Sequence, residues 1–183
     1  MKKLIILSMF VATFLMGCGS TPTKPAASFS LPASAQFTEP TVTVHLTQTI
    51  TADGYPDEAQ MTKIIQDKIT AALKNNSLLA DTNAVSPLSL EFIINYHRRF
   101  AGEDTPIPSK SVMAPVVGYA TIISENGVEK HRIEKSGLTV NKGFGPNLIT
   151  TFTLGLGKTA KDEEDDLQTL ANGLVAEIKK LKE

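Results

Sequence analysis

Thr41-Val42-Thr43-Val44-His45-Leu46-Thr47, followed by the spaced set Met61, Ile64, Ile65, Ile69, Ala72 and Leu73, decides the fold. In the first stretch apolar side chains recur at every second position. That is the period of a half-buried strand, with Val42, Val44 and Leu46 toward a core and the threonines and His45 away from it. In the second set they recur every third or fourth position, which is one stripe of an amphipathic helix. Between them Asp53-Gly54-Tyr55-Pro56 reads as a turn. Pro56 is expected to open the helix, because its missing N–H costs nothing in the first turn. Asp57 and Glu58 complement the positive end of the helix dipole, and Asn75-Asn76 is a reasonable stop.

Downstream, Leu88 to Tyr96 alternates again, with Leu88, Leu90, Phe92, Ile94 and Tyr96 on one face and His97-Arg98-Arg99 at the exit. A Pro-containing loop is expected from Gly102 to Lys110. A third strand, Val116 to Ser124, meets Glu125-Asn126-Gly127. Asn-Gly is a strong hairpin signal, because both residues tolerate positive φ. The return strand runs from Val128 to about Val140. Residues 143–157 mix Phe144, Leu148, Ile149, Phe152, Leu154 and Leu156 with glycines and threonines, and Phe152 to Leu156 fits a fifth short strand. The chain closes on a second helix, Asp162 to Lys182. Leu167, Leu170, Ala171, Leu174, Ile178 and Leu181 form its stripe, with acids at its start and Lys179, Lys180 and Lys182 at its end.

The order β-α-β-β-β-α makes the fold class α+β. Two amphipathic helices each need an apolar surface to cover, and one sheet face can bury both. The expectation is a two-layer sandwich: a mostly antiparallel sheet of four to five strands, with both helices on one face. The first strand–helix–strand unit needs a crossover connection, expected to be right-handed.

Upstream of the fold the chain has a different character. Met1-Lys2-Lys3 is a basic start, and Leu4 to Met16 is apolar apart from Ser8 and Thr13. That run is shorter than the ~20 residues needed to span a bilayer and matches a signal-peptide core. It ends in Leu15-Met16-Gly17-Cys18, which resembles the lipobox of bacterial lipoproteins. The resemblance implies diacylglyceryl transfer to the Cys18 sulfur, cleavage between Gly17 and Cys18, and fatty acylation (palmitate in many such proteins) of the new amine. A thiol is the most nucleophilic side chain for such an alkylation. Each buried CH₂ contributes about 0.8 kcal/mol, so two or three chains hold where one would not. Gly19 follows the cysteine. By the same resemblance, Asp there would signal inner-membrane retention, so the outer membrane, on its periplasmic side, is expected. In a Gram-positive envelope the place would be the outer face of the plasma membrane.

The expected organisation is therefore a signal peptide over 1–17, a lipid anchor and flexible tether over 18–37, and a single α+β domain over 38–183. The tether reading rests on the Ser, Thr, Pro, Ala and Gly content of 19–36. Within it, Phe29 and Leu31 carry apolar side chains that either dock on the domain or belong to the linker.

Composition narrows the function classes. The formal net charge is −1, and becomes −3 once Lys2 and Lys3 are removed, so no basic footprint for nucleic acid exists. Cys18 is the only cysteine, which leaves the domain without an internal disulfide or a thiolate metal cluster. Tryptophan is absent. Gly155-Leu156-Gly157-Lys158-Thr159 resembles the end of a phosphate-binding loop. The motif needs a glycine where Phe152 stands, and it leads into the acidic run Asp162 to Asp166, so no nucleotide is expected. Gly143-Phe144-Gly145 lacks the third glycine of a dinucleotide fingerprint. His45, His97 and His131 show no ligand spacing and read as surface residues. The acidic run reads as a solvated helix start. No metal, cofactor or catalytic constellation is expected.

With the strand and helix order in hand, the chain resembles the YajG-type lipoproteins of enterobacteria. The resemblance rests on the lipobox, Phe29-Ser30-Leu31-Pro32, the Val42-Thr43-Val44 strand, the helix ending near Leu73, the strand Leu88 to Tyr96 and the final helix. It implies no catalytic residues, and it carries over Cys18 alone as a functional position. The expected function is a non-enzymatic, membrane-anchored accessory or assembly subunit of the envelope, acting through contacts with an envelope protein. Phe144, Leu148, Phe152, Leu154 and Leu156 are the candidate contact residues, unless that segment packs on the domain as an edge strand or loop. A binding module for a lipid or other apolar ligand, held between helices and sheet, is the alternative. An enzyme comes third.

Overall fold

The computed structural model describes residues 29–51, 53–81, 87–106, 111–140 and 159–182. The signal peptide, Gly17, Cys18, the possible fifth strand and the contact candidates Phe144, Leu148, Phe152, Leu154 and Leu156 lie outside the described residues.

Six elements follow in the expected order: β1 (Thr41–Gln48), α1 (Glu58–Asn75), β2 (Ser89–Arg98), β3 (Val116–Glu125), β4 (Val128–Thr139) and α2 (Ala160–Lys180). The strands form one sheet in the order β1-β2-β3-β4. β1 runs parallel to β2, with Val44 level with Ile94, while the β2–β3 and β3–β4 pairs are antiparallel. The parallel pair is what a helical crossover between β1 and β2 permits, and it makes the sheet mixed. The β3–β4 turn uses Asn126 at φ 51° and Gly127 at φ 76°, the left-handed pair its sequence favours.

Both helices cover one face. Val42, Val44, Leu90, Phe92, Ile94, Tyr96, Val117, Tyr119 and Ile123 point at Met61, Ile65, Ile69 and Leu73 of α1 and at Leu167, Leu170, Leu174 and Ile178 of α2. All of these are buried, so side chains fill the space between helices and sheet. A smaller cluster of Phe100 and Val112, with Ile50 and Tyr55 against it, closes the end of the sheet where β2 stops.

Both helix starts differ from expectation, α1 beginning later and α2 earlier, and each is set by a capping box. Asp57 is the N-cap of α1: its carboxylate accepts the Gln60 N–H at 2.8 Å, and the Gln60 side chain accepts the Asp57 N–H at 2.9 Å. Pro56 therefore precedes the cap and does not occupy the first turn. α2 is capped by Thr159 and starts at Ala160, two residues ahead of the expected Asp162, which instead completes the reciprocal capping box.

Of the stretch that composition groups with the tether, the described part is packed. The Leu31 N–H donates to the Leu181 carbonyl at 2.6 Å. Phe37 is fully buried, and it bridges to both Leu79 and Leu88. Aromatic and aliphatic burial outweighs the local preference of Pro and Ser for an open chain.

Candidate functional site

The chemistry in this fold lies inside it. Along β2 the inward parity of Leu90, Phe92, Ile94 and Tyr96 continues to Arg98, which is 1% exposed and not a solvated exit residue. Along α2 the stripe extends backward by four positions, from Leu167 to Glu163 and from Leu170 to Asp166, which are 0% and 1% exposed. The reading of the acidic run as wholly solvated is thus corrected at two of its five residues.

These groups meet. Arg98 donates from Nε to Glu163 Oε1 at 2.8 Å and from Nη2 to Oε2 at 2.9 Å, a two-pronged pair. Nη2 also donates to the Pro56 carbonyl at 2.7 Å, and Nη1 to Gln48 Oε1 at 2.6 Å. The guanidinium lies 5.4 Å from the centre of the Tyr55 ring. The Tyr96 hydroxyl donates to Glu163 Oε1 at 3.1 Å. One side chain thereby joins the end of β1, the β1–α1 turn, β2 and the start of α2. Burial, then the negative charges of Glu163 and Asp166, raise the Tyr96 hydroxyl well above its ordinary pKa. Burial and Glu163 raise Tyr55 as well.

A second tie sits farther along α2. The Tyr119 hydroxyl donates to Glu177, which also pairs with Lys135 of β4. Burial first, then this hydrogen bond, pushes the Tyr119 proton far above its usual range. In both clusters all three guanidinium nitrogens, or the single carboxylate, are engaged by neighbours within the fold. The arrangement clamps elements together.

The histidines stay apart in role. His45 is exposed on the outer sheet face, and His97 is half-buried on β2. His131 stacks on Phe29 with ring centres 4.3 Å apart and planes 5° from parallel. Among the described residues no group of three His, Cys, Asp or Glu could hold a metal ion. Thr159, the last residue of the phosphate-loop-like piece, serves as a helix cap. No helix among the described residues is long and apolar enough to cross a membrane.

Grooves on the surface of the described residues include two next to the helices and the N-terminal segment. One, of about 490 Å³, lies where the N-terminal segment enters the domain, lined by Phe29, Leu31, Ala35, Leu88 and Ile123 with Glu125 and Lys130 at its rim. The other, of about 940 Å³, lies between the starts of the two helices, beside Tyr55, Ile64, Lys161 and Leu167. The predicted site residues Gly17, Cys18, Phe144, Leu148, Phe152, Leu154 and Leu156 lie outside the described residues. The buried residues that sequence reading missed were marked by parity and by helical spacing. Charge alone argued against placing them inside.

No protein-family model matches the chain, and no curated protein matches it at a significant level.

Proposed function

We propose that this protein is a lipid-anchored lipoprotein of the bacterial envelope, of the YajG-type kind, and that it acts without catalysis as an accessory or assembly subunit. The observation that carries the reading is the run Lys2-Lys3, the apolar core, and Leu15-Met16-Gly17-Cys18 ahead of the α+β domain. Support comes also from the way the buried Arg98, Glu163 and Tyr96 satisfy one another, which is the economy of a scaffold. The lipid on Cys18 would hold the domain to the periplasmic side of the outer membrane, or to the outer face of the plasma membrane in a single-membrane envelope. Phe144, Leu148, Phe152, Leu154 and Leu156 would supply contacts to an envelope protein.

Replacing Cys18 tests the anchor. Wild-type protein should incorporate labelled palmitate and sediment with membranes, while Cys18→Ser should do neither and should accumulate with its leader uncleaved. Soluble, unlabelled wild-type protein would sink the reading. Crosslinking in intact envelopes then tests the contact surface: a discrete partner should be captured by the wild type and lost on replacing Phe144, Phe152 and Leu156 by Ser.

The groove of about 490 Å³ at the entry of the N-terminal segment favours a second reading, a module for an apolar ligand. Co-purifying lipid without a protein partner would select it.

A further inference from the structure

The two edges of the sheet are built differently. β4 exposes Glu129, Lys130, Arg132, Glu134 and Lys135, and its pairing with β3 is broken by two register shifts. Charges and bulges are how edges are kept from pairing with other chains. β1 has neither: Thr41–Gln48 contains no charged carboxylate, Lys or Arg, and its register with β2 is unbroken over all eight residues. Among the described residues no strand pairs with its outer side.

Which backbone groups that edge offers can be read off one hydrogen bond. The Leu46 N–H points away from β2 and donates to Glu58 Oε2 at 2.8 Å. Backbone direction alternates along a strand, so Pro40, Val42 and Val44 face the same way. Pro40 has no N–H to give, and Leu46 has already given its own. Val42 and Val44 between them are the offered donors.

We infer that this edge pairs with the same edge of a second copy, about a two-fold axis through Thr43. Antiparallel self-pairing centred there sets Val42 opposite Val44 of the other copy, and Val44 opposite its Val42, both as hydrogen-bonded pairs. Thr43 meets Thr43, and Thr41 meets His45, on the exposed outer face. No like charges oppose one another. The next hydrogen-bonding position would match Leu46 with Pro40, where one donor is spent and the other absent, so the ladder ends where the chain has nothing left to pair. Beyond it the window stays closed: the Thr38 N–H is already given to the Leu88 carbonyl, and Phe37, three residues past Pro40 and bonded to the 78–80 segment, falls opposite Thr49, where the chain has already bent out of the strand. A partner strand of other sequence could use the same donors; the symmetric limits of the window, Pro40 at one end and Leu46 at the other, are what favour a second copy. If the chain is anchored as proposed above, both copies also share one membrane surface, which raises their effective concentration; the pairing itself does not depend on that.

The geometry makes Thr43 the one position of the strand that meets itself. Non-hydrogen-bonded antiparallel pairs place Cα atoms about 4.5 Å apart, within disulfide reach. Thr41 and its own copy would be separated by four residues, about 13 Å at ~3.3 Å each, beyond that reach. Full-length protein carrying Thr43→Cys, oxidised in intact envelopes, should run as a disulfide dimer. Thr41→Cys alone should stay monomeric, and Thr41→Cys with His45→Cys should dimerise again. Thr43→Glu, at an exposed position, should leave the fold intact by circular dichroism and shift the detergent-solubilised protein from dimer to monomer. A monomeric Thr43→Cys protein, equal dimer from Thr41→Cys, or an adduct to a different protein would each overturn the inference. The wild type, whose one thiol is Cys18, reports separately on the anchor: a wild-type disulfide dimer would speak against lipid on that sulfur and leave the pattern at positions 41, 43 and 45 to be judged above it.

Discussion

Arg98 and Glu163 illustrate what a buried charge asks of its neighbours. Neither could be desolvated alone, since the penalty is several kcal/mol per ion even after relaxation. Together, with Gln48, Pro56 and Tyr96 completing their hydrogen bonds, they become a joint between four elements. Arg98→Met should therefore destabilise the domain by about 3–5 kcal/mol, because it strands Glu163 beside Asp166. The double replacement Arg98→Met with Glu163→Leu should recover much of that loss in urea unfolding. Equal loss in single and double variants would show that the joint works by shape and not by charge. The three tyrosines of the chain, Tyr55, Tyr96 and Tyr119, make a matching prediction for alkaline pH. Each holds its proton more tightly when folded than its ordinary value near 10. The unfolded chain releases those protons first, so this contribution to stability is fully present below pH 10 and is lost as pH rises beyond it. Ultraviolet titration should show the buried Tyr96 and Tyr119 ionising together with loss of the circular-dichroism signal. Normal, non-cooperative titration of all three would contradict the burial described.

At the scale of elements, local chemistry and tertiary placement agree at most boundaries. The β3–β4 turn is set by Asn126 and Gly127 in left-handed conformations. A Cβ at Gly127 would meet nothing within 4 Å, so Gly127→Ala tests backbone strain alone. It should cost about 1–2 kcal/mol, the left-handed penalty for an L-residue, measured by thermal unfolding. No change would mean that the turn relaxes to another type. The helix starts show how short-range rules compete. Proline tolerates the first turn, yet Asp57 outbids Pro56 for α1, because a carboxylate that accepts a backbone N–H satisfies an orphan donor and proline only avoids creating one. Thr159 and Asp162 do the same for α2.

For the whole molecule the consequential surface is the line from residue 29 to residue 48. Its first part enters the core through Leu31 and Phe37, while its second part is the uncharged edge. Phe37 stands in a stretch whose composition reads as linker, but it is fully buried. Phe37→Ala should cost about 3–5 kcal/mol in chemical denaturation, the range for removing a buried aromatic. A change near zero would return the segment to the tether. Phe29, the first described residue, lies eleven positions after Cys18, a span of at most about 3.3–3.6 Å per residue when extended. An anchored domain would thus stay close to its membrane.

The alternation in β1 and β2, the stripes of α1 and α2 and the Asn-Gly turn determined the element order and the two-layer α+β arrangement, because period and turn chemistry are local properties. The basic start, the apolar run and Cys18 likewise depend on a short contiguous signal. The parallel pairing of β1 with β2 followed from the helix between them. The burial of Arg98, Glu163 and Asp166 had only a faint trace in their spacing, since a lone charge reads as exposed until its partner is known. That partner lies 65 residues away for Arg98 and Glu163. The docking of Phe37 and the outward donors of Val42 and Val44 depended on which strand lies beside which, a long-range fact. Local pattern determines what each segment prefers to be; only the packing of distant segments decides which charges are matched inside and which edge is left to pair.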